Sequence, residues 1–330
     1  MMKGYGRGKD TGFTVTHAHL FMLSLVLPGC SEFGVSDQDE VVQNPITLEE
    51  RFTQVPRPKL DVLWVIDNTP SMADEQLALA SALTSFTAGL QDAGVAWQVG
   101  VVKTDILSDD AGVLQGVPWV ITPAQEDLDL ALAAAAAVGL DGQPPEAGLG
   151  AAWLALTEPL ASGLNRGFRR DDAALHIVVM SDGDDASEAI LGGRPDEAFL
   201  LFLEEEAART GQSASLSAVV GDAPDGCIGD LGSAQPGLVY LSVAQQSGGV
   251  AQSICEPDFS AITTELGTDT IPWSVRFPLT ETPVTDSIRV AIDGERQDTG
   301  WSLETNPPAI QFELPPAPGV EITVSYEVAT

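Results

Sequence analysis

Positive charge is scarce in this chain. Against 48 Asp and Glu stand only 15 Lys and Arg, a formal net charge of −33 over 330 residues. Phosphate contacts need clustered Lys and Arg, so DNA, RNA and anionic lipid surfaces are poor partners for it. Histidine is scarcer still, with three in all. His17 and His19 fall near the start, and His176 sits inside an apolar run where it reads as a core residue. A Ser-His-Asp triad therefore has no base. No Gly-x-Ser-x-Gly elbow, phosphate-binding loop or dinucleotide fingerprint occurs. Nor does any apolar run reach the roughly 20 residues of a bilayer-spanning helix. The acidity that remains favours solubility, or a broad attraction for divalent cations.

Cysteine is also rare, with three in the chain. Lys3, Arg7 and Lys9 form a basic start, residues 20–27 an apolar run, and Leu27-Pro28-Gly29-Cys30 closes it. Such a run is too short to span a membrane and reads as a cleaved export signal. Leu27 and Gly29 before Cys30 resemble the lipobox of bacterial lipoproteins, which implies diacylation of Cys30 as the new N-terminus. Ser31, rather than Asp, follows it, which favours the outer membrane. Cys227 and Cys255 then remain as an even pair in an exported chain, so a disulfide is expected. In the chain-entropy picture it is worth about 3–4 kcal/mol.

Hydrophobic residues make up 44% of the chain, enough for a sizeable core. Residues 31–58 are polar, acidic and dotted with proline. Near-continuous Val, Leu and Ile runs at 60–66, 97–102, 175–180 and 216–220 read as strands buried on both faces. Helical spacing marks 73–90, 126–137, 145–157, 196–209 and 258–266, and 239–243 and 250–254 read as weaker strands. From about 271 short alternating runs are separated by Asp-Gly, Asn-Pro-Pro and Pro-Ala-Pro-Gly turn signals. The expected organisation is a signal peptide over 1–29, a flexible tether over 30–58, an α/β domain over 59–270 and a small all-β domain over 271–330. Strands alternating with helices make the α/β part a doubly wound, mainly parallel sheet, with sites beyond the strands' C-terminal ends.

One such end carries Asp67-Asn68-Thr69-Pro70-Ser71. An Asp and two hydroxyls at alternate positions can converge on one hard cation, and oxygen donors of this kind suit Mg²⁺. The pattern resembles the metal-ion-dependent adhesion site of the von Willebrand factor type A family, which begins Asp-x-Ser-x-Ser. Ser181-Asp182-Gly183, after another buried strand, matches the family's later Asp at Asp182, with Asp184 and Asp185 beside it. Gln143, in Gly142-Gln143-Pro144-Pro145-Glu146-Ala147, stands where the family has a Thr. A Gln carbonyl can ligate a hard cation, and Glu146 is the alternative donor. Asn165 to Ala173 resembles the lead-in to the Asp182 strand in exported bacterial members. Its arginines, Arg166, Arg169 and Arg170, are expected to pair with surrounding acids. Thr104 and Asp105 are expected to cap a loop.

The resemblance covers roughly 59–268. It implies a non-enzymatic module on the cell envelope that holds Mg²⁺, or Ca²⁺ or Mn²⁺, through Asp67, Thr69, Ser71, Asp182 and Gln143. The metal would capture a carboxylate of a protein partner, and the only membrane contact would be the lipid. A structural envelope protein with a degenerate, metal-free site is the alternative, favoured by Gln143. A haloacid dehalogenase-type phosphatase also opens on a strand ending in Asp, but it wants a second Asp where this chain has Thr69. The export reading has a direct check. Mass spectrometry of membrane-fraction protein should find Cys30 as a lipid-bearing N-terminus, and Cys30→Ser should release the protein in soluble form; an intact 1–30 segment contradicts it.

Overall fold

The computed structural model describes residues 46–54 and 59–328. The expected signal peptide, Cys30 and most of the expected tether lie outside these residues. In chain order the elements are β1 (Ile46–Thr53), β2 (Lys59–Ile66), α1 (Ala73–Asp92), β3 (Ala96–Lys103), α2 (Leu128–Ala136), α3 (Gly148–Leu156), β4 (Ala174–Ser181), α4 (Glu188–Leu191), α5 (Pro195–Thr210), β5 (Ala214–Val220), β6 (Cys227–Ile228), β7 (Ser233–Ala234), α6 (Leu238–Ser247), β8 (Ala251–Ser253), α7 (Phe259–Asp269), β9 (Arg276–Pro278), β10 (Arg289–Ile292), β11 (Glu295–Gln297), β12 (Trp301–Thr305), β13 (Pro308–Phe312) and β14 (Glu321–Val328).

Five strands form a parallel sheet in the order β3-β2-β4-β5-β8. Its central strands are buried on both faces, and their alternate residues supply two cores. Leu60, Val62, Trp64 and Ile66 of β2 point to one face, which α1, α2 and α7 cover with Leu83, Phe86, Leu132, Ile262 and Leu266. Leu63 and Val65 point to the other, covered by α3, α5 and α6 through Leu149, Phe199, Phe202, Tyr240 and Val243. Burying a side chain such as Leu or Phe contributes about 1.5–3 kcal/mol, so the apolar runs that mark these strands also fix their place between two helix layers. Among the described residues no helix is long and apolar enough to cross a membrane.

Two expectations are corrected. Residues 239–243 are helical rather than a strand. Tyr240, Val243 and Ala244 are the buried positions of α6, at i, i+3 and i+4 spacing, and Gly248 ends the helix with φ 79°, a left-handed stop that glycine adopts freely. The second concerns 46–53, expected in the tether. These residues form β1, which pairs antiparallel with β14 from Ile46↔Val328 to Thr53↔Glu321. β1 joins β14, β10 and β11 in one sheet and faces a second sheet of β12, β13 and β9. Phe52, Phe277, Val290, Ile310, Ile322 and Val324 fill the space between. Glu50 anchors the added strand, accepting from the Tyr326 hydroxyl and from the Thr280 N–H and hydroxyl.

At the N-terminal edge of the parallel sheet Asp61 interrupts the apolar run of β2 and is fully buried. It accepts from the Arg170 N–H and Nε, both at 2.7 Å, and from Arg169 Nη1 at 3.1 Å. Arg169 also pairs with Glu206. The arginine segment is thus a structural clamp, as the acid-pairing expectation has it for these two. Burial holds the Asp61 carboxyl above its ordinary value although both guanidinium groups oppose it. Removing one member of a buried ion network strands its partners, at about 3–5 kcal/mol. Asp61→Ala should therefore lower unfolding stability by an amount of that order in a denaturant titration; a loss below about 1 kcal/mol, the range of exposed pairs, contradicts the clamp.

Candidate functional site

β2 and β4 end side by side, and the Asp67 N–H donates to the Met180 carbonyl at 2.9 Å. The chain leaves β2 toward β3 on one side, while β4 lies on the other. A parallel sheet opens a crevice at such a reversal of strand order. Asp67 and Asp182 therefore follow the ends of adjacent strands, Asp182 lining the crevice and Asp67 fully buried beside it.

Asp67 is fully buried. Its Oδ1 accepts from the Thr69 N–H at 2.8 Å and its Oδ2 from the Ser181 hydroxyl at 2.7 Å. Gln76 holds the strand end by donating to the carbonyls of Asp67 and Gly139, at 2.8 and 2.9 Å. Thr69 Oγ1 and Ser71 Oγ lie 3.2 Å apart, and Ser71 and Asp182 line the same crevice. The structure thus brings Asp67, Thr69, Ser71 and Asp182 into one cluster.

Gln143 is not part of it. Its side chain is exposed, and its amide turns back toward the carbonyls of Asp141 and Gly142 at 3.5 and 3.3 Å. Glu146 enters the crevice instead, beside Ser71, Asp182 and Gly183. A Cβ built on Gly183 would lie 3.0 Å from Glu146 Oε2, so the loop after β4 approaches this carboxylate closely.

The two acids after Asp182 have separate tasks. Asp184 Oδ1 accepts from the Val239 N–H in the first turn of α6, at 2.9 Å. Asp185 accepts from the Leu149 N–H at the start of α3 and from the Ser187 N–H and hydroxyl. Both carboxylates satisfy free N–H groups at helix N-termini, where negative charge is favourable. Asp105 accepts from the Leu107 N–H at 2.8 Å, and the Thr104 carbonyl accepts from the Ala147 N–H at 3.2 Å, so this pair holds loops.

Two contributors escape the sequence motif. One is Glu75, 3% exposed, with Oε2 lacking a hydrogen-bond partner among the described residues. The other is the β6–β7 hairpin, which walls the crevice with Ser233 and Ala234 while Asp225 lines it from the preceding loop. The Gln235 N–H donates to the Asp182 carbonyl at 2.8 Å, and a disulfide ties Cys227 to Cys255, 28 positions on. Only the cysteine pair gave a sequence signal for this wall.

The crevice measures about 490 Å³, and no Lys or Arg lines it. Burial pushes the Asp182 carboxyl up, helped by the charge of Asp67 and opposed by the Ser71 hydrogen bond. Burial likewise raises Glu146, with Asp67 and Asp182 adding to it, and Glu75, with Asp182, Asp74 and Asp67 adding to it. Among the described residues no three His, Cys, Asp or Glu side chains form a metal cage by themselves. Any cation here would depend on the hydroxyls of Thr69 and Ser71 to complete its donor set, a mixture of hard oxygens that fits Mg²⁺ or Ca²⁺.

No protein-family model matches the chain, and no curated protein matches it. Among solved structures, the pilus adhesin SpaC from Lactobacillus rhamnosus GG aligns at 11% identity with a TM-score of 0.40, over 86% of this chain and 41% of the adhesin. Proximal thread matrix protein 1 from the mussel byssus aligns at 14% identity with a TM-score of 0.39, over 69% of this chain and 51% of that protein. A second crystal structure of the byssus protein, with a zinc-occupied MIDAS motif, gives 14% and 0.38. The chain spans about half or less of each neighbour's length.

The raised carboxyls give a signed pH dependence. A carboxyl raised in the folded state binds its proton more tightly there than in the unfolded chain, so its contribution to stability is present at low pH and fades as pH rises through the folded value. Glu146→Gln removes one such group. In metal-free buffer the variant should gain stability over the parent as pH rises above the ordinary carboxylate value of about 4. Parallel melting curves for the two proteins from pH 4 to 8 would contradict the mutual repulsion of Glu146, Asp67 and Asp182.

Proposed function

We propose that this chain is an adhesion or protein-binding module of the cell envelope that works through a divalent cation held at the ends of β2 and β4. The cluster of Asp67, Thr69, Ser71 and Asp182, faced by Glu146 in a crevice that no Lys or Arg lines, carries the reading. Thr69 and Ser71 would offer hydroxyl oxygens, and Asp67, Asp182 and Glu146 would offer carboxylates directly or through water. Mg²⁺ suits this set best, with Ca²⁺ and Mn²⁺ as alternatives. When bound, the cation would offer a Lewis-acidic position to a carboxylate on a partner protein. Without it that carboxylate would meet only repulsion in an acidic crevice. We read the role as binding, with the crevice carboxylates serving as cation donors rather than as catalytic bases. Export and a lipid anchor at Cys30 belong to the same proposal, as do the division of the chain near residue 270 and the absence of a nucleic-acid partner.

One observation favours a metal-free structural role. Both Asp67 oxygens already accept hydrogen bonds within the protein. Metal titration separates the two readings. With Mg²⁺, Ca²⁺ or Mn²⁺ at a hundredfold excess over its Kd, stability should rise by about 2.7 kcal/mol, read as an increase in Tm. Asp182→Asn should abolish that gain while leaving the metal-free Tm unchanged or higher, Glu146→Gln should reduce it, and Gln143→Ala should leave it intact. A parent protein with no Tm response to millimolar concentrations of any of the three supports the structural role instead.

A further inference from the structure

Asn68 stands between Asp67 and Thr69, and the cation reading gives it no task. Its side chain is 1% exposed, and its Oδ1 has no hydrogen-bond partner among the described residues. Nδ2 reaches Asp141 Oδ1 at 3.5 Å, a long contact. A buried amide paired this poorly costs stability, so its place here calls for another role. The amide lies against Gly142. A Cβ built on that glycine would meet Asn68 Cγ and Oδ1 at 2.6 Å and Nδ2 at 2.8 Å. Near-equal distances to the three atoms mean that Gly142 rests on the flat face of the amide. Any other residue at 142 would push one of the two aside. The Gly142 N–H also donates to the Asn68 carbonyl at 2.9 Å, so backbone and side chain of Asn68 hold the same glycine.

Gly142 opens the loop that carries Glu146 into the crevice. Upstream, Gln76 Nε2 fixes the Gly139 carbonyl at 2.9 Å. Downstream, the Ala186 N–H donates to the Glu146 carbonyl at 2.8 Å, and the Ala147 N–H to the Thr104 carbonyl at 3.2 Å. Between these points the loop is seated on Asn68. Gln143, Pro144 and Pro145 alone separate Gly142 from Glu146. The two prolines, with φ fixed by their rings, make that link stiff. A displacement of Gly142 therefore has little chain in which to be absorbed, and it moves Glu146 relative to Ser71 and Asp182 across the crevice.

We propose that Asn68 is a positioning residue: its amide is the seat that, through Gly142, sets the 142–147 loop where Glu146 faces Ser71 and Asp182. The seat follows from contacts within the protein, and its consequence for a cation rests on the function proposed above. Two measurements on the full ¹⁵N-labelled protein keep these apart. Amide hydrogen exchange in metal-free buffer reads the seat, and Mn²⁺ affinity, from the EPR signal of the free ion, reads the consequence. Gly142→Ala should speed exchange of the Ala147 and Ala186 N–H groups about tenfold or more while the Asp67 N–H, bonded within the sheet, keeps its rate. The same variant should weaken Mn²⁺ binding about tenfold, a loss of roughly 1.4 kcal/mol. The double variant Asn68→Ala/Gly142→Ala, in which the new methyl group takes the room vacated by the amide, should move both quantities back toward the parent. Unchanged exchange at Ala147 and Ala186 in Gly142→Ala, equally faster exchange at Asp67, or no recovery in the double variant overturns the seat. A parent that binds Mn²⁺ and a Gly142→Ala variant that binds it equally well overturn its role in cation binding. A parent that binds no Mn²⁺ but shows the expected exchange pattern overturns the function proposed above and supports the seat.

Discussion

Uncompensated negative charge at the reversal of strand order is the constraint on which the rest of this structure turns. β2 and β4 must lie side by side because their apolar runs fill the two cores of the sheet. That pairing sets Asp67, fully buried, beside the crevice that Asp182 and Glu146 line, with Glu75 buried near them. Each of the last three is held above its ordinary carboxyl pKa, by burial first and by its neighbours' charge second. Repulsion of this kind is tolerated because the sheet is stabilised elsewhere, and it is relieved by protons or by a cation.

The chain places its few basic side chains accordingly. At the N-terminal edge of the sheet Arg169 and Arg170 clamp Asp61, and Arg209 pairs with Glu206 and Asp171. None lines the crevice at the other edge. Acids that could have joined the crevice are drawn off as well: Asp184 and Asp185 are occupied by the N-termini of α6 and α3. This placement of charge is a feature of tertiary structure that net charge alone does not convey; outside the crevice, Lys103 at the end of β3 pairs with Asp110. The β1–β14 pairing then closes the smaller sandwich with residues from both ends of the described chain.

The central strands were legible because burial on both faces leaves little room for polar residues, so sequence and fold carry the same signal. The Asp67, Thr69 and Ser71 group was legible because alternate positions after a strand have few ways to point. Three things were not. β1 is an edge strand whose exposed face carries Glu49 and Arg51, and its partner lies over 260 residues away. In α6 the run Leu238-Val239-Tyr240-Leu241 has no polar break to reveal a helical period, although Gly248 marks its end. For the loop 142–147 a motif match by position selected Gln143, whereas the fold of the loop turns Glu146 inward. Which side chain of an irregular loop faces a site is set by neighbouring backbone, here the Ala147 and Ala186 N–H bonds to Thr104 and Glu146, and no local pattern encodes it.

The central claim is that the crevice exists to hold one divalent ion. Anomalous X-ray scattering from crystals grown with saturating Mn²⁺ addresses this most directly, because it locates the ion without reference to any assumed ligand. The account predicts one strong peak in the crevice, within coordination distance of the Ser71 hydroxyl and between the Asp67 and Asp182 carboxylates, with Glu146 turned toward it and Gln143 in solvent. Crystals that show no peak there at saturating Mn²⁺, with Asp67 still bonded to Thr69 and Ser181, would contradict it.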